Sequence, residues 1–267
     1  MNSSAPIGVF DSGVGGLSVL HAIRAALPHE DLCYVADSGH VPYGTKTPEY
    51  LQQRSTALTE FLLTQGIKAL VVACNTATVA AVKHLRSQYS IPIIAVEPGI
   101  KAAASITKTG AIGVIATAAT LESFQFMSLI ERFGSDIKIL QQACPHLVKQ
   151  VEDGDLTSPA TRTIIQHYTE PLLAADIDAL VLGCTHYPFL RPLIDEVVGS
   201  EVTIIDTGSA IARQVLKVLT GQNLLNPAPQ PGQETFWTSG EIETAQSIFS
   251  TLWQQEVNVQ RLPEPFR

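Results

Sequence analysis

Short, nearly continuous apolar runs recur along the 267-residue chain, and longer segments with helical periodicity separate them. The runs are PIGVF, LCYVAD, ALVVAC, IPIIAV, AIGVIAT, IKIL, ALVLGC and VTIID. Strands that are apolar along their whole length are typical of parallel sheets covered by helices on both faces. The alternation therefore predicts an α/β fold with mainly parallel sheets flanked by helices.

Three pairs of segments repeat in the same order and at nearly the same spacing. IGVFDS, ALVVACNT and PIIAVEPG in the first half are echoed by IGVIAT, ALVLGCTH and TIIDTGS in the second. One match between apolar strands would mean little, but three collinear matches favour a duplicated unit. We therefore predict two similar α/β domains, pseudo-two-fold related, with the active site in the cleft between them.

Composition and charge narrow the class of protein. The net charge is −8 and the chain has no block rich in lysine or arginine, which argues against a surface for nucleic acid or anionic membrane. No apolar run reaches the roughly 18 residues needed to span a bilayer, and the first residues lack a basic segment before an apolar stretch. We expect a soluble, cytoplasmic protein.

Polar residues follow several of the predicted strands. In parallel α/β sheets, ligands bind at the carboxyl ends of the strands. If the two halves face each other, Cys74 and Cys184 would lie on opposite walls of one cleft. The polar residues at these strand ends are Asp11, Ser12, Asp37, Ser38, Cys74, Asn75, Thr76, Thr117, Cys184, Thr185, His186, Asp206 and Thr207.

The segment FDSGVGGLSVL joins the first strand to a helix. Its glycines let a backbone approach a ligand closely, and a helix start offers free N–H groups to an anion. The spacing fits neither a dinucleotide-binding fingerprint nor a P-loop, so a tight strand-to-helix turn is an equal alternative. Asp11 favours a functional role, because a carboxylate at a strand end can orient a partner or accept a proton.

A second candidate is the segment DSGHVPYGTK, residues 37–46. Pro42 and Gly44 constrain its backbone, and Tyr43 supplies a ring with a polar tip. A surface loop is the simpler explanation. A loop that covers a ligand is the sharper one, because functional residues concentrate on loops at this sheet edge.

The four cysteines are far apart and form neither a Cys-x-x-Cys pair nor a zinc-site pattern. Cys33 and Cys144 are predicted to be structural. Cys74 and Cys184 each precede a helix, which can favour a thiolate. Singly, either could simply pack in the core. As matched positions they suit the inversion of an acidic stereocentre, which needs a base on one face and an acid on the other.

These motifs together resemble glutamate racemase, the cofactor-independent enzyme that supplies D-glutamate for bacterial peptidoglycan. The resemblance covers about residues 7 to 210 and rests on IGVFDSGVGGLSVL, YVADSGHVPYG, VVACNTATVAA, IGVIATAAT, ACPHLVKQVEDG and VLGCTHYPFL. It implies two α/β domains, 1–97 with 207–267 and 98–206, the first completed by the C-terminal segment. It also implies a homodimer, no metal and no pyridoxal phosphate.

The resemblance also implies residue roles. Cys74 would take the α-proton from D-glutamate with support from Asp11, and Cys184 would take it from L-glutamate with support from Glu152 and His186. Near Glu152 the chain carries His146, Lys149 and Gln150, where the family usually has more apolar residues or proline. The implied substrate contacts are Asp11, Ser12, Pro42, Tyr43, Gly44, Asn75, Thr76, Thr117, Thr120, Thr185 and His186.

Three alternatives remain open at this point. Aspartate racemase, or another enzyme of the same superfamily, has similar cysteine-containing strands. A non-catalytic binding protein for an acidic amino acid could use the same two-domain cleft, although it would have no evident use for two opposed thiols. A redox protein is the least favoured, because no second cysteine lies close to either thiol in the sequence.

Overall fold

The computed structural model describes residues 2–134 and 136–267, and the chain divides into two compact units. The first unit contains the chain up to Val96 together with Gly208–Arg267, and the second contains Glu97–Thr207. In the described residues each unit is built on one parallel sheet with helices between its strands. The predicted α/β class is confirmed.

The first unit has a sheet of six described strands in the order β10-β9-β2-β1-β3-β4. Its strands are β1 (Ile7–Asp11), β2 (Leu32–Ala36), β3 (Ala69–Val72), β4 (Ile93–Ala95), β9 (Glu234–Thr238) and β10 (Val259–Arg261). Its helices are α1 (Leu17–Ala26), α2 (Pro48–Thr64), α3 (Asn75–Gln88), α10 (Gly208–Gly221) and α11 (Ile242–Trp253). The three central strands, β2, β1 and β3, are completely buried, as their continuous apolar sequences predict.

The second unit has a sheet of four described strands in the order β6-β5-β7-β8. Its strands are β5 (Ala111–Ala116), β6 (Lys138–Ala143), β7 (Ala179–Leu182) and β8 (Thr203–Ile205). Its helices are α4 (Ile100–Ile106), α5 (Ala118–Leu121), α6 (Phe124–Phe133), α7 (Pro145–Glu152), α8 (Pro159–Leu173) and α9 (Arg191–Val198). Its order matches β2-β1-β3-β4 of the first unit, so the two units repeat one strand arrangement.

The residues after Gly208 extend the first sheet. Strand β9 pairs with β2, and α11 follows it along the chain. Strand β10 was not predicted from the sequence, because three residues are too few to show an alternating pattern. Within the described residues, no helix combines the length and the apolar character that a bilayer span requires.

Candidate active site

Register places the polar strand ends of the first unit side by side. Asp11 pairs with Ala36 of β2, and Phe10 pairs with Val72 of β3. The residues that follow β2 and β3 therefore emerge at the same sheet edge as Asp11. Asp11, Asp37 and Cys74 are all buried there.

The Asp11 carboxylate is anchored by the glycine turn that follows β1. It accepts a hydrogen bond of 2.8 Å from the backbone N–H of Gly16. A Cβ atom on Gly16 would lie 2.5 Å from the Cβ of Asp11, so a side chain there would push the carboxylate away. The sequence predicted that the backbone of this glycine segment approaches a ligand closely. In the structure the backbone of Gly16 approaches the side chain of Asp11.

Cys74 caps the start of helix α3. Its sulfur accepts a hydrogen bond from the backbone N–H of Ala77 at 3.4 Å and lies 3.6 Å from the hydroxyl oxygen of Ser12. The N-terminus of a helix carries partial positive charge, which favours a negatively charged group. This sulfur is therefore placed where a thiolate is stabilised.

Asn75 is the most informative neighbour of Cys74. Its side chain is buried, with 4% of the residue exposed, and neither its amide nitrogen nor its carbonyl oxygen has a hydrogen-bond partner among the described residues. A buried polar group without a partner costs about 1–3 kcal/mol. A polar ligand at this sheet edge would remove that cost.

The segment 37–46 forms two short 3₁₀ turns, Ser38–His40 and Tyr43–Thr45. The Tyr43 ring is buried and its hydroxyl donates a hydrogen bond of 2.5 Å to the Asp37 carboxylate. Burial and the negative charge of Asp37 raise the pKa of Tyr43 well above its usual value. The Tyr43 hydroxyl, which the sequence suggested as a ligand contact, is therefore bonded to a residue of its own unit. Pro42 and Gly44 lie on either side of Tyr43 in the same segment.

The second unit presents its thiol at the equivalent position, with different support. Cys184 follows β7 by two residues, as Cys74 follows β3. The sequence predicted a helix start after both cysteines, but after Cys184 a 3₁₀ turn, Tyr187–Leu190, comes first and α9 begins only at Arg191. Cys184 is instead supported by a side chain: its sulfur lies 3.7 Å from Nδ1 of His186.

A carboxylate completes this arrangement. Nε2 of His186 lies 2.7 Å from an oxygen of Glu152, the last residue of α7. Burial alone would lower the pKa of His186, but the hydrogen bonds and negative charges of Cys184 and Glu152 outweigh it and hold that pKa well above its usual value. The raised pKa favours the protonated imidazole, which lies between a carboxylate and the sulfur.

Gln150 ties the atypical α7 segment to the neighbouring helix. Its side-chain oxygen accepts a hydrogen bond of 2.9 Å from the hydroxyl of Thr161, a fully buried residue of α8. The polar residue that departs from the family pattern thus joins α7 to α8. Glu152, at the end of the same helix, reaches His186 despite the unusual sequence.

Replacing Glu152 by glutamine is expected to lower the pKa of His186, because the negative charge on one side of the ring is lost. In the unfolded chain a histidine has a pKa of about 6.5. Since the folded pKa is raised, the charged ring contributes stability that is fully present below that pH and is lost as the pH rises through the folded pKa. This pH-dependent contribution should shrink in the variant.

Titration of the His186 ring by NMR, with urea unfolding at several pH values, measures both effects. Glu170→Gln, an exposed change on α8, is the matched control and should leave the titration of His186 as in the parent. An unchanged His186 titration in Glu152→Gln would contradict the assignment.

The remaining predicted residues of the second unit follow strands β5 and β7. Thr117 caps α5, and its hydroxyl lies 3.0 Å from that of the fully buried Thr120. Thr185 is buried beside Cys184. The backbone N–H of Gly183 donates to the carbonyl of Ile115 at 2.8 Å, which keeps the two strand ends adjacent. This edge is therefore rich in hydroxyl groups.

The other two cysteines are also buried, and Cys144 precedes α7 without a capping hydrogen bond from its side chain. Cys33 lies inside β2, and Cys144 is completely buried after β6. Burial raises the pKa of both thiols. A raised pKa keeps a thiol neutral and poor as a base, so Cys74 and Cys184 are the better candidates for chemistry.

Two further side chains, those of Asp37 and Arg54, meet at this edge. Asp37 was noted only as a strand-end residue, and Arg54 was not noted at all. Arg54 donates to both oxygens of Asp37, at 2.7 and 3.0 Å. The available signal was the position of a charged residue on the apolar face of α2, between Leu51 and Leu58.

Comparison with known proteins places this geometry in context. A model of the Asp/Glu/hydantoin racemase family matches residues 7–215. The glutamate racemase of Ectopseudomonas mendocina is 53% identical over 259 residues, which are 96% of this chain and 98% of that one. Both units therefore lie within the region of similarity.

Two solved structures of glutamate racemases are similar to this chain over nearly its whole length. The glutamate racemase isoform RacE1 from Bacillus anthracis is 34% identical with a TM-score of 0.91, covering 100% of both chains. The glutamate racemase from Francisella tularensis, solved in complex with D-glutamate, is 29% identical with a TM-score of 0.85, covering 98% of both chains. The similarity thus extends to the fold of the whole chain.

Proposed function

We propose, from the premise that the chain belongs to the Asp/Glu/hydantoin racemase family, that it is a glutamate racemase with Cys74 and Cys184 as its two bases. The observation that carries the two-base proposal is the equivalence of the two cysteines. Each follows the third strand of its unit by two residues, in sheets that share one strand order. A duplicated position with a duplicated thiol is what a reaction with two mirror-image substrates requires.

The reaction interconverts L- and D-glutamate by removing one proton from the α-carbon and adding another to its opposite face. A thiolate on one face removes the α-proton, and a thiol on the opposite face gives a proton to the carbon, so the configuration inverts. Cys184 removes the proton from L-glutamate and Cys74 removes it from D-glutamate. After each turnover the two sulfurs have exchanged protonation states, and each is then ready for the opposite enantiomer.

The two bases have different supports. The ring of His186, held by Glu152, lies 3.7 Å from the Cys184 sulfur, where its protonated form can balance negative charge. Cys74 has the start of α3, and Asp11, anchored by Gly16, supports it from the end of β1. The charge of His186 and the dipole of α3 are fixed before substrate arrives and lower the cost of forming an anion, whereas the Asp11 carboxylate acts by orienting a partner or accepting a proton.

Hydroxyl, amide and backbone groups hold the substrate in this proposal. Asn75 is the strongest of them, because a substrate carboxylate or ammonium group would satisfy its two buried polar atoms. Hydroxyls and N–H groups can bind a carboxylate without an arginine. The other proposed contacts are Asp11, Ser12, Pro42, Tyr43, Gly44, Thr76, Thr117, Thr120, Thr185 and His186.

The proposal also covers the metabolic role, the location, the oligomeric state and the domains of the protein. The enzyme supplies D-glutamate for peptidoglycan, works in the cytoplasm and forms a homodimer. Its folding domains are residues 1–97 with 207–267 and residues 98–206, close to the two compact units. The pseudo-two-fold relation of the domains, with the substrate bound in a cleft between them, also belongs to the proposal.

Incubation of the purified protein with L-glutamate in deuterated water, without added cofactor, tests the activity. We expect D-glutamate to form and deuterium to enter at the α-carbon, both followed by chiral chromatography and mass spectrometry. Aspartate is the comparison substrate, and a missing methylene should lower kcat/KM by about 10- to 200-fold. The absence of both D-glutamate and α-deuterium would exclude the proposed activity.

A further inference from the structure

Arg54 is a buried cation that the proposed reaction does not use. It lies on α2 with 9% of its surface exposed, on the face that carries the buried Leu51 and Leu58. A guanidinium is taken out of water at a cost unless its donors are all engaged. The structure engages them on two sides.

On one side Arg54 meets the carboxylate that follows β2. Its Nη2 and Nε atoms donate to the two oxygens of Asp37 at 2.7 and 3.0 Å. Two parallel hydrogen bonds of this kind fix the orientation of both groups. Because the hydroxyl of Tyr43 donates to the same carboxylate, the position of Asp37 determines the position of segment 37–46.

On the other side Arg54 meets the main chain of residues 262–267, which we call the distal segment. Its Nη2 atom donates to the carbonyl of Phe266 at 2.9 Å and its Nη1 atom to that of Arg267 at 3.4 Å. The Phe266 ring packs against Phe61 of α2 with centroids 5.7 Å apart, and Leu262 is buried. The distal segment is therefore well placed to hold the guanidinium.

We propose that Arg54 is a positioning residue for substrate binding, which couples the distal segment to segment 37–46 through Asp37 and Tyr43. The inference rests on the proposed function, in which segment 37–46 contacts substrate. Arg54 itself touches neither the substrate nor the reacting thiols; it fixes the segment that does. The distal segment thereby controls substrate affinity although it carries no substrate contact of its own.

The expected consequence is a change in KM with little change in kcat. When the binding-competent arrangement of a segment is populated only in part, apparent affinity falls by that fraction. Arg54→Lys keeps the charge but loses the paired geometry, and a fall to a tenth of the competent population would raise KM about tenfold. The proton transfer itself is untouched once substrate is bound, so kcat should stay within about threefold of the parent.

Arg24 provides a matched control in the same unit. It also pairs with a carboxylate, that of Glu234, and donates to the main-chain carbonyls of Pro28 and Glu30 at 3.0 and 2.8 Å. Arg24→Lys should cost similar stability in urea and leave KM at the parental value. A variant that lacks Phe266 and Arg267 removes the two carbonyls without changing Arg54 or Asp37, and should raise KM by about threefold.

Steady-state kinetics with L-glutamate and urea unfolding test the coupling. Both are measured on the parent, Arg54→Lys, Arg24→Lys and the shortened variant. A rise in KM for Arg54→Lys and for the shortened variant, absent in Arg24→Lys, supports the coupling. An equal rise in Arg24→Lys, an unchanged KM in Arg54→Lys or the shortened variant, or a loss confined to kcat would overturn it. The racemisation assay of the parent and of the cysteine variants tests the proposed function separately.

Discussion

Replacing Cys184 by serine is expected to lower kcat/KM for racemisation by about 10²–10⁴-fold, because a hydroxyl cannot serve as the base that a thiolate supplies. The factor must be the same from L- and from D-glutamate, since the two enantiomers have equal free energies in water. Cys74→Ser should behave alike. Circular dichroism of glutamate at low wavelength follows the reaction in both directions.

Primary isotope effects on kcat/KM distinguish the two bases. In Cys184→Ser, removal of the α-proton from L-glutamate becomes slower. The isotope effect measured with α-deuterated L-glutamate should therefore rise, and that measured with α-deuterated D-glutamate should fall. Cys74→Ser should show the opposite pattern. Identical patterns in the two variants would contradict the assignment of one thiol to each enantiomer.

Cys33→Ser is the matched control for these variants. Cys33 is a buried thiol of the first unit, opposite Thr235 of β9, and serine changes only its sulfur to oxygen. It lies within β2 and away from the strand end. Its activity should stay close to the parent, so a large loss would show that the assay reports damage to the sheet rather than removal of a base.

Much of this arrangement could be predicted from the sequence because it depends on local patterns. The apolar runs predict strands, and their polar ends predict where Asp11, Cys74 and Cys184 emerge. Residues that depend on distant partners could not be found in this way. The Arg54 side chain meets Asp37 and the carbonyl of Phe266, and carbonyl acceptors leave no trace in a sequence.

His186 follows Cys184 closely in the sequence, but the part of Glu152 in supporting that cysteine was accessible only through resemblance. Glu152 lies on α7 and His186 beyond β7, and no spacing rule joins a helix end to a residue so far along the chain. A local feature explains why the helix expected after Cys184 begins later than the helix after Cys74. Pro188 lies within the 3₁₀ turn after His186, and α9 begins only after that turn.

The second large effect concerns stability rather than catalysis and centres on Lys68. This residue precedes β3, the strand that leads to Cys74, and 1% of it is exposed. Its ammonium group bonds to the carboxylate of Glu30, which is 2% exposed, and to the carbonyl of Ser3. The other oxygen of Glu30 accepts from the backbone N–H of Asn226 at 2.8 Å. One buried ion pair thus joins four separate segments of the first unit.

Lys68→Met is expected to lower the free energy of unfolding of this unit by about 3–5 kcal/mol, because it leaves the Glu30 carboxylate buried without its cation. Total stabilities of about 5–15 kcal/mol make this a large fraction. Both tryptophans, Trp237 and Trp253, belong to the first unit. Tryptophan fluorescence during urea unfolding therefore reports on the unit that contains the pair.

Two further variants separate the buried charge from the loss of a side chain. Lys68→Met combined with Glu30→Gln removes both charges and keeps an acceptor for Asn226, so it should lose less than Lys68→Met alone. Arg261→Met breaks the ion pair between Arg261 and Glu241, whose side chains are 41% and 67% exposed respectively. It should lower the free energy of unfolding by less than about 1 kcal/mol. If Lys68→Met proved no more costly than Arg261→Met, the pair would contribute nothing beyond a surface contact. If the double variant lost as much as the single one, the cost would lie in packing rather than in the unpaired carboxylate.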